Sequence, residues 1–214
     1  EMSDLDNISD QIRLEFDRKT ARRDAALAQA RQLTRHASLA IRAIHREDEA
    51  EAERELQSAR DLARELREGL KDDPDLYFAG YTQDALKEFV EAELTVALIL
   101  NHPLPAPEDL NAEYPAYLAG LAETLGELRR RCLDLLRPGY SSEVERLLMW
   151  MDDIFTQLVT MDYPDAITEG LRRRTDLARG IIERTRADIT LSFRQNELEQ
   201  ALTRLSEQLN GEID

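Results

Sequence analysis

The chain has 214 residues, 34% of them charged, and its 44 Asp and Glu against 28 Lys and Arg give a formal net charge of −16. No window reaches about 18 uncharged apolar residues, which excludes a membrane-spanning helix, and the acidic N-terminus lacks the basic-then-apolar order of a secretory signal. The single Cys132 excludes an intrachain disulfide and His36, His45 and His102 have no metal-ligand spacing, so a reducing, cytoplasmic setting without a zinc site is expected.

The sign of the net charge argues on its face against a nucleic-acid partner, since such proteins carry basic surfaces. Its distribution weakens that argument. Lysine occurs only at positions 19, 71 and 87, whereas arginine is abundant and acidic residues coat most of the chain. This is the surface expected of a halophile's protein, where the Debye length is about 3 Å in molar salt and net charge steers little.

Glycine, proline and β-branched residues are sparse, which predicts an all-α protein, and no compositional break marks a second domain. Helical spacing of apolar residues predicts one long helix from residue 4 to about 45, with Arg13, Arg18, Lys19, Arg22, Arg23, Arg31 and Arg35 making its first two-thirds basic. Those cations either meet a polyanion or pair with acids on the same helix. After a break at His45–Glu49 a second helix is predicted to end at Gly69, placed like a C-terminal cap, and Lys71–Pro74 reads as a turn. A central helix over Thr82–Leu100 follows, closed by the proline-rich connector His102–Pro107. Further helices are predicted at Pro115–Leu136, from Ser142 through Leu158 with Ser142 and Glu145 as a capping box, and at Asp165–Ser192. The amphipathic tail Glu197–Leu209 offers Leu198, Ala201, Leu202 and Leu205 to a partner subunit.

The central helix carries the chemistry. It is the most apolar run, yet Asp84, Glu88, Glu91 and Thr95 fall on one narrow stripe. Two glutamates at i, i+3 on a mostly buried helix repel each other, so a cation is expected beside them, either a divalent metal or a neighbouring arginine. Glu123 and Glu127, at i, i+4 on the next long helix, form a second pair; they lie opposite that helix's leucine face, which for a lone domain means solvent. Gly126 between them suggests close approach of another element. In a chain this acidic such spacings also arise by chance. Glu93 falls within the apolar face without an evident reason. No Walker loop, GxGxxG, HExxH or nucleophile elbow is present.

Longer runs carry more information than these spacings. AIRAIHR at 40–46, GYTQDALKEFVEAE at 80–93, YLAGLAETLGELRRRCLD at 117–134, WMDDIFTQL and LSFRQNELEQAL resemble the translin family, especially the branch of translin-associated factor X and its archaeal relatives, over nearly the whole chain. The resemblance implies a seven-helix, all-α subunit, a single domain over 1–214 whose 193–214 tail docks on a partner. Such subunits assemble into a hollow homo-oligomer, usually an octamer, that encloses RNA. The factor X branch is a Mg2+-dependent endoribonuclease, whereas translin binds single-stranded nucleic acid without the full acidic site. The branch motif stands here as Glu88-Phe89-Val90-Glu91-Ala92, and the second motif as Glu123-Thr124-Leu125-Gly126-Glu127, with Glu where Asp is usual at 123. The resemblance therefore implies Glu88, Glu91, Glu123 and Glu127 as metal ligands and catalytic groups for Mg2+, or Mn2+ in its place. Arg18, Arg22 and Arg23 are candidates to hold the backbone of single-stranded RNA, or of single-stranded DNA. The alternative is a non-catalytic, translin-like binding shell.

Overall fold

The structure, a computed structural model, describes residues 4–211. Among the described residues there are eight helices and no strand: α1 (Asp4–His45), α2 (Glu49–Leu70), α3 (Pro74–Tyr77), α4 (Gly80–Ile99), α5 (Tyr114–Leu136), α6 (Glu143–Thr160), α7 (Asp165–Thr168) and α8 (Leu171–Gly211). The all-α class expected from composition is the one observed. Backbone contacts divide the chain into two compact units, Glu1–Val96 with Pro107–Ala112, and Ala97–Ala106 with Glu113–Asp214.

In the first unit α2 folds back on α1. Ala26, Ala30, Leu33, Ala37, Ala40 and Ile44 recur at helical spacing on α1, and Ala52, Leu56, Ala59, Ala63, Leu66 and Leu70 answer them on α2. Alanine at so many seam positions lets the two axes approach closely while the leucines fill the gaps. The reversal occurs at Glu47, whose φ of 62° is left-handed, and Asp48 then accepts the Glu51 N–H at 3.0 Å as the N-cap of α2. The first half of α1 is exposed, including Leu5, Ile8, Ile12, Leu14 and Phe16.

Two expectations about the end of α2 are corrected. Gly69 lies inside the helix, not at its cap, because α2 continues to Leu70 with Lys71 still in the right-handed region. The segment after it is more than a turn: Pro74 occupies the first position of α3, where its missing N–H costs nothing. Thr82 Oγ1 donates to the Leu76 carbonyl at 2.8 Å and Gln83 Nε2 to the Tyr77 carbonyl at 2.9 Å, which fixes where α4 starts.

The second unit is built on α5, α6 and α8, packed pairwise through Leu121, Leu125, Leu128 and Cys132, through Leu147, Met151, Ile154 and Leu158, and through Leu171, Ala178, Ile182 and Ile189. Arg146 of α6 donates to the carbonyls of Leu98 at 3.0 Å and Ile99 at 3.3 Å, satisfying helix-end acceptors that have no intrahelical partner. Tyr117 Oη donates to the Pro105 carbonyl at 2.8 Å and anchors the proline-rich connector.

Three boundary expectations change here. Ser142 makes no side-chain cap and sits in the right-handed region, so the capping box is not formed. The break after Pro164 is completed not by the proline alone but by Glu169 and Gly170, with φ of 52° and 84°, which separate α7 from α8. The tail is continuous with the helix before it, since α8 runs unbroken from Leu171 to Gly211. Leu198, Leu202 and Leu205 are exposed on it, as the narrow stripe required.

Candidate functional site

Every residue of α4 from Phe89 to Leu98 is buried. Three of them are polar side chains that burial ought to penalise: Glu91, 8% exposed, Glu93, 6%, and Thr95, 0%. Glu93 is explained within the first unit. Arg60 of α2 donates from Nε to Oε1 at 2.6 Å and from Nη2 to Oε2 at 3.0 Å, a two-pronged pairing, while its Nη1 reaches Glu53 at 2.6 Å. The bond to Glu93, with a smaller contribution from Glu53, holds the Arg60 guanidinium above its ordinary pKa. No sequence spacing announces this pair, because its partners are separated by 33 residues on two helices.

The stripe read from the sequence exists as a gradient of exposure. Asp84 is exposed, Glu88 half-buried, Glu91 and Thr95 buried. Ligand oxygens of Glu88 and Glu91 lie within 4.8 Å of each other. Two unit charges at that distance repel by about 3 kcal/mol at an effective dielectric of about 20. Lys87 offsets part of this, with Nζ 3.1 Å from Glu88 Oε1. Farther along the stripe, the Thr95 hydroxyl is buried without a hydrogen-bond partner. A hydroxyl sealed from water and left unmade costs about 1–3 kcal/mol. Two close carboxylates offer the oxygen donors that a hard divalent cation with attached waters takes, so Glu88 and Glu91 fit Mg2+ or Mn2+.

In the second unit Glu123 and Glu127 are half-buried, their side chains 33% and 24% exposed, not solvated as their position opposite the leucine face suggested. Arg174 of α8 approaches Glu123 Oε1 at 3.4 Å, and Arg130 approaches Glu127 Oε2 at 3.8 Å. Among the described residues nothing makes the close approach expected at Gly126: a Cβ added there would meet no atom of another element within 4 Å. The four glutamates are thus two pairs, each one helical turn apart, the first in one unit and the second in the other.

The three arginines singled out on α1 all have acidic neighbours. Arg18 approaches Glu15 at 3.8 Å, Arg23 approaches Asp24 at 3.2 Å, and Arg22 binds Asp73 at 2.5 Å, pinning α1 to the turn before α3. Cys132 is buried, and that burial pushes its thiol up to about 12. No described helix is long and apolar enough to cross a membrane.

Solved structures place this architecture among the C3PO proteins, helical proteins of the translin and translin-associated factor X type. AfC3PO from Archaeoglobus, solved in a complex with duplex RNA, matches with a TM-score of 0.81 and 33% identity over 87% of this chain and 96% of its own. NeC3PO from Neurospora matches with a TM-score of 0.78 at 21% identity, over 90% of this chain and 98% of its own, a likeness of fold. The uncharacterized protein MJ0175 of Methanocaldococcus jannaschii is 31% identical over 199 residues, 91% of this chain and 86% of that protein. No family model matches the chain. On the identity and coverage of these relatives, the chain belongs to the translin and translin-associated factor X family.

Proposed function

We propose that the protein binds RNA and cleaves it as a Mg2+-dependent endoribonuclease, working within a homo-oligomeric shell. The observation that carries this reading is the Glu88–Glu91 pair, with oxygens within 4.8 Å of each other on a buried helix that also leaves Thr95 unpartnered. The kinship with AfC3PO, a protein solved with duplex RNA, supplies the substrate class.

Glu88 and Glu91, joined by Glu123 and Glu127, would hold the ion. When bound, the ion supplies positive charge for the phosphodiester oxygens as negative charge develops on them. Glu91, buried on the helix, would hold its position, and Glu88, half-buried at the mouth of the stripe, would accept the attacking water's proton at a carboxylate oxygen. The unpartnered Thr95 hydroxyl would gain a partner from a water carried by the ion. Glu for Asp at 123 adds a methylene and keeps the charge, and its carboxylate lies 3.4 Å from Arg174. We take the substrate to be a single strand or a short duplex, and the shell to be an octamer.

A non-catalytic binding shell is the second reading. It is favoured by the cations already beside these acids, among them Lys87 on Glu88, Arg174 on Glu123 and Arg130 on Glu127, which neutralise charge without a metal.

Labelled single-stranded RNA and the matching short duplex, incubated with protein in Mg2+ and in EDTA, separate the two. Cleavage in Mg2+ alone is expected, with Glu91→Gln slower by at least about a hundredfold, the loss of one preorganised group of about 3 kcal/mol. Binding without metal-dependent cleavage assigns the chain to the second reading.

A further inference from the structure

The first unit holds a groove of about 340 Å3 between α1 and α4, which opens beside Glu88. Its apolar wall is Leu27, Ala30 and Ala85, and its polar residues are Arg31, Thr34, Tyr81, Asp84 and Glu88. The Arg31 side chain is exposed and makes no hydrogen bond or ion pair with the described residues, unlike Arg18, Arg22 and Arg23 on the same helix. The Tyr81 hydroxyl is buried and has no hydrogen-bond partner. A sealed donor without an acceptor is destabilising in the free protein, and turning the Tyr81 side chain toward an oxygen held in the groove removes that cost.

We infer that this groove is the seat of one nucleotide's sugar and phosphate, and that it reads the ribose 2′-hydroxyl. The chemistry of the lining selects this ligand over others. A guanidinium with no competing carboxylate partner is matched to a phosphate, which it can grip through two parallel N–H donors. The exposed Asp84 carboxylate repels phosphate but accepts a hydrogen bond from a sugar hydroxyl. Tyr81 supplies the complementary donor to the same oxygen. A 2′-hydroxyl, at once donor and acceptor, is the group that satisfies both and is what separates RNA from DNA. The volume accommodates one nucleotide and no base pair, and its position beside Glu88 puts the held nucleotide next to the proposed cleavage point.

This inference rests on the RNA-binding reading but not on the metal. It is tested by binding in EDTA, using an oligoribonucleotide and the 2′-deoxy oligonucleotide of the same base sequence, with wild type, Tyr81→Phe and Arg31→Gln. Tyr81→Phe removes one oxygen and is expected to weaken RNA binding about tenfold while leaving the deoxy strand unchanged, with a thermal midpoint no lower than that of wild type. Arg31→Gln is expected to weaken both strands and to reduce the slope of log affinity against log salt by about 0.7, the loss of one single-strand phosphate contact. Equal RNA binding by Tyr81→Phe and wild type, or an equal loss on RNA and DNA, overturns the inference, as does an unchanged salt slope for Arg31→Gln. If wild type binds neither strand, the RNA reading itself falls; if Glu91→Gln binds RNA normally yet cleavage is unaffected, only the metal site falls and the groove stands.

Discussion

Arg60 and Glu93 show how a buried charge is made tolerable at the scale of single residues. The carboxylate is 7% exposed while its arginine is 35% exposed, so the two partners are not equivalent. Removing the arginine strands a negative charge in the interior; removing the acid leaves a cation that can turn to water and to Glu53. Breaking a fully buried pair costs about 3–5 kcal/mol, and partial exposure of Arg60 discounts this to about 2 kcal/mol for Arg60→Ala. Glu93→Gln, which keeps an acceptor for the guanidinium, is expected to cost about 1 kcal/mol. Urea denaturation of the two variants checks the order, and equal losses would contradict the asymmetric burial. The pair also shows where sequence reading stopped. Glu93 stood out as an acid on an apolar face, but its partner lies on another helix and became visible only once α2 and α4 were placed together.

At the scale of elements, the helices follow from local chemistry more closely than their ends do. The α1–α2 seam is written in the spacing of alanine and leucine, and α4 in an apolar run without glycine or proline. Ends depend on which backbone groups find partners. Asp48 caps α2 by accepting the Glu51 N–H, and Asp48→Ala is expected to lower stability by about 1 kcal/mol, read as a shift of the unfolding midpoint without a change in denaturant dependence. Ser142, of the same capping class, makes no such bond, because its backbone is already helical. Gly69 resembled a cap and is an ordinary helical residue, while the left-handed turn at Glu169–Gly170 lay inside a segment whose periodicity read as unbroken. The long α8 points the other way: a weakening stripe after Ser192 suggested a separate tail, but nothing in that stretch breaks a helix, and none is broken.

For the whole molecule, the governing quantity is a net charge of −16 on each 24.6 kDa chain. A shell of several copies multiplies that charge, and repulsion between copies falls as salt shortens the Debye length from about 10 Å at 0.1 M to about 3 Å at 1 M. If the chain assembles as proposed, the mass measured by light scattering rises toward a multiple of the subunit across that range. A constant 24.6 kDa in molar salt would remove the shell from the proposal.

The sequence by itself determined the all-α class, the first five long helices to within a few residues but not the bounds of α8, the polar stripe on α4 and, through extended runs of similarity, the family. These are properties of spacing and composition, which act locally and survive in one dimension. Only the tertiary structure decided which acids have company: that Glu93 is neutralised by Arg60, that Arg22 is committed to Asp73, that Glu123 and Glu127 are half-covered, and that Arg31 and Tyr81 share a groove beside Glu88. Charges interact over a few ångströms regardless of their distance along the chain, so their partners are fixed by the packing of helices and by no pattern within one of them.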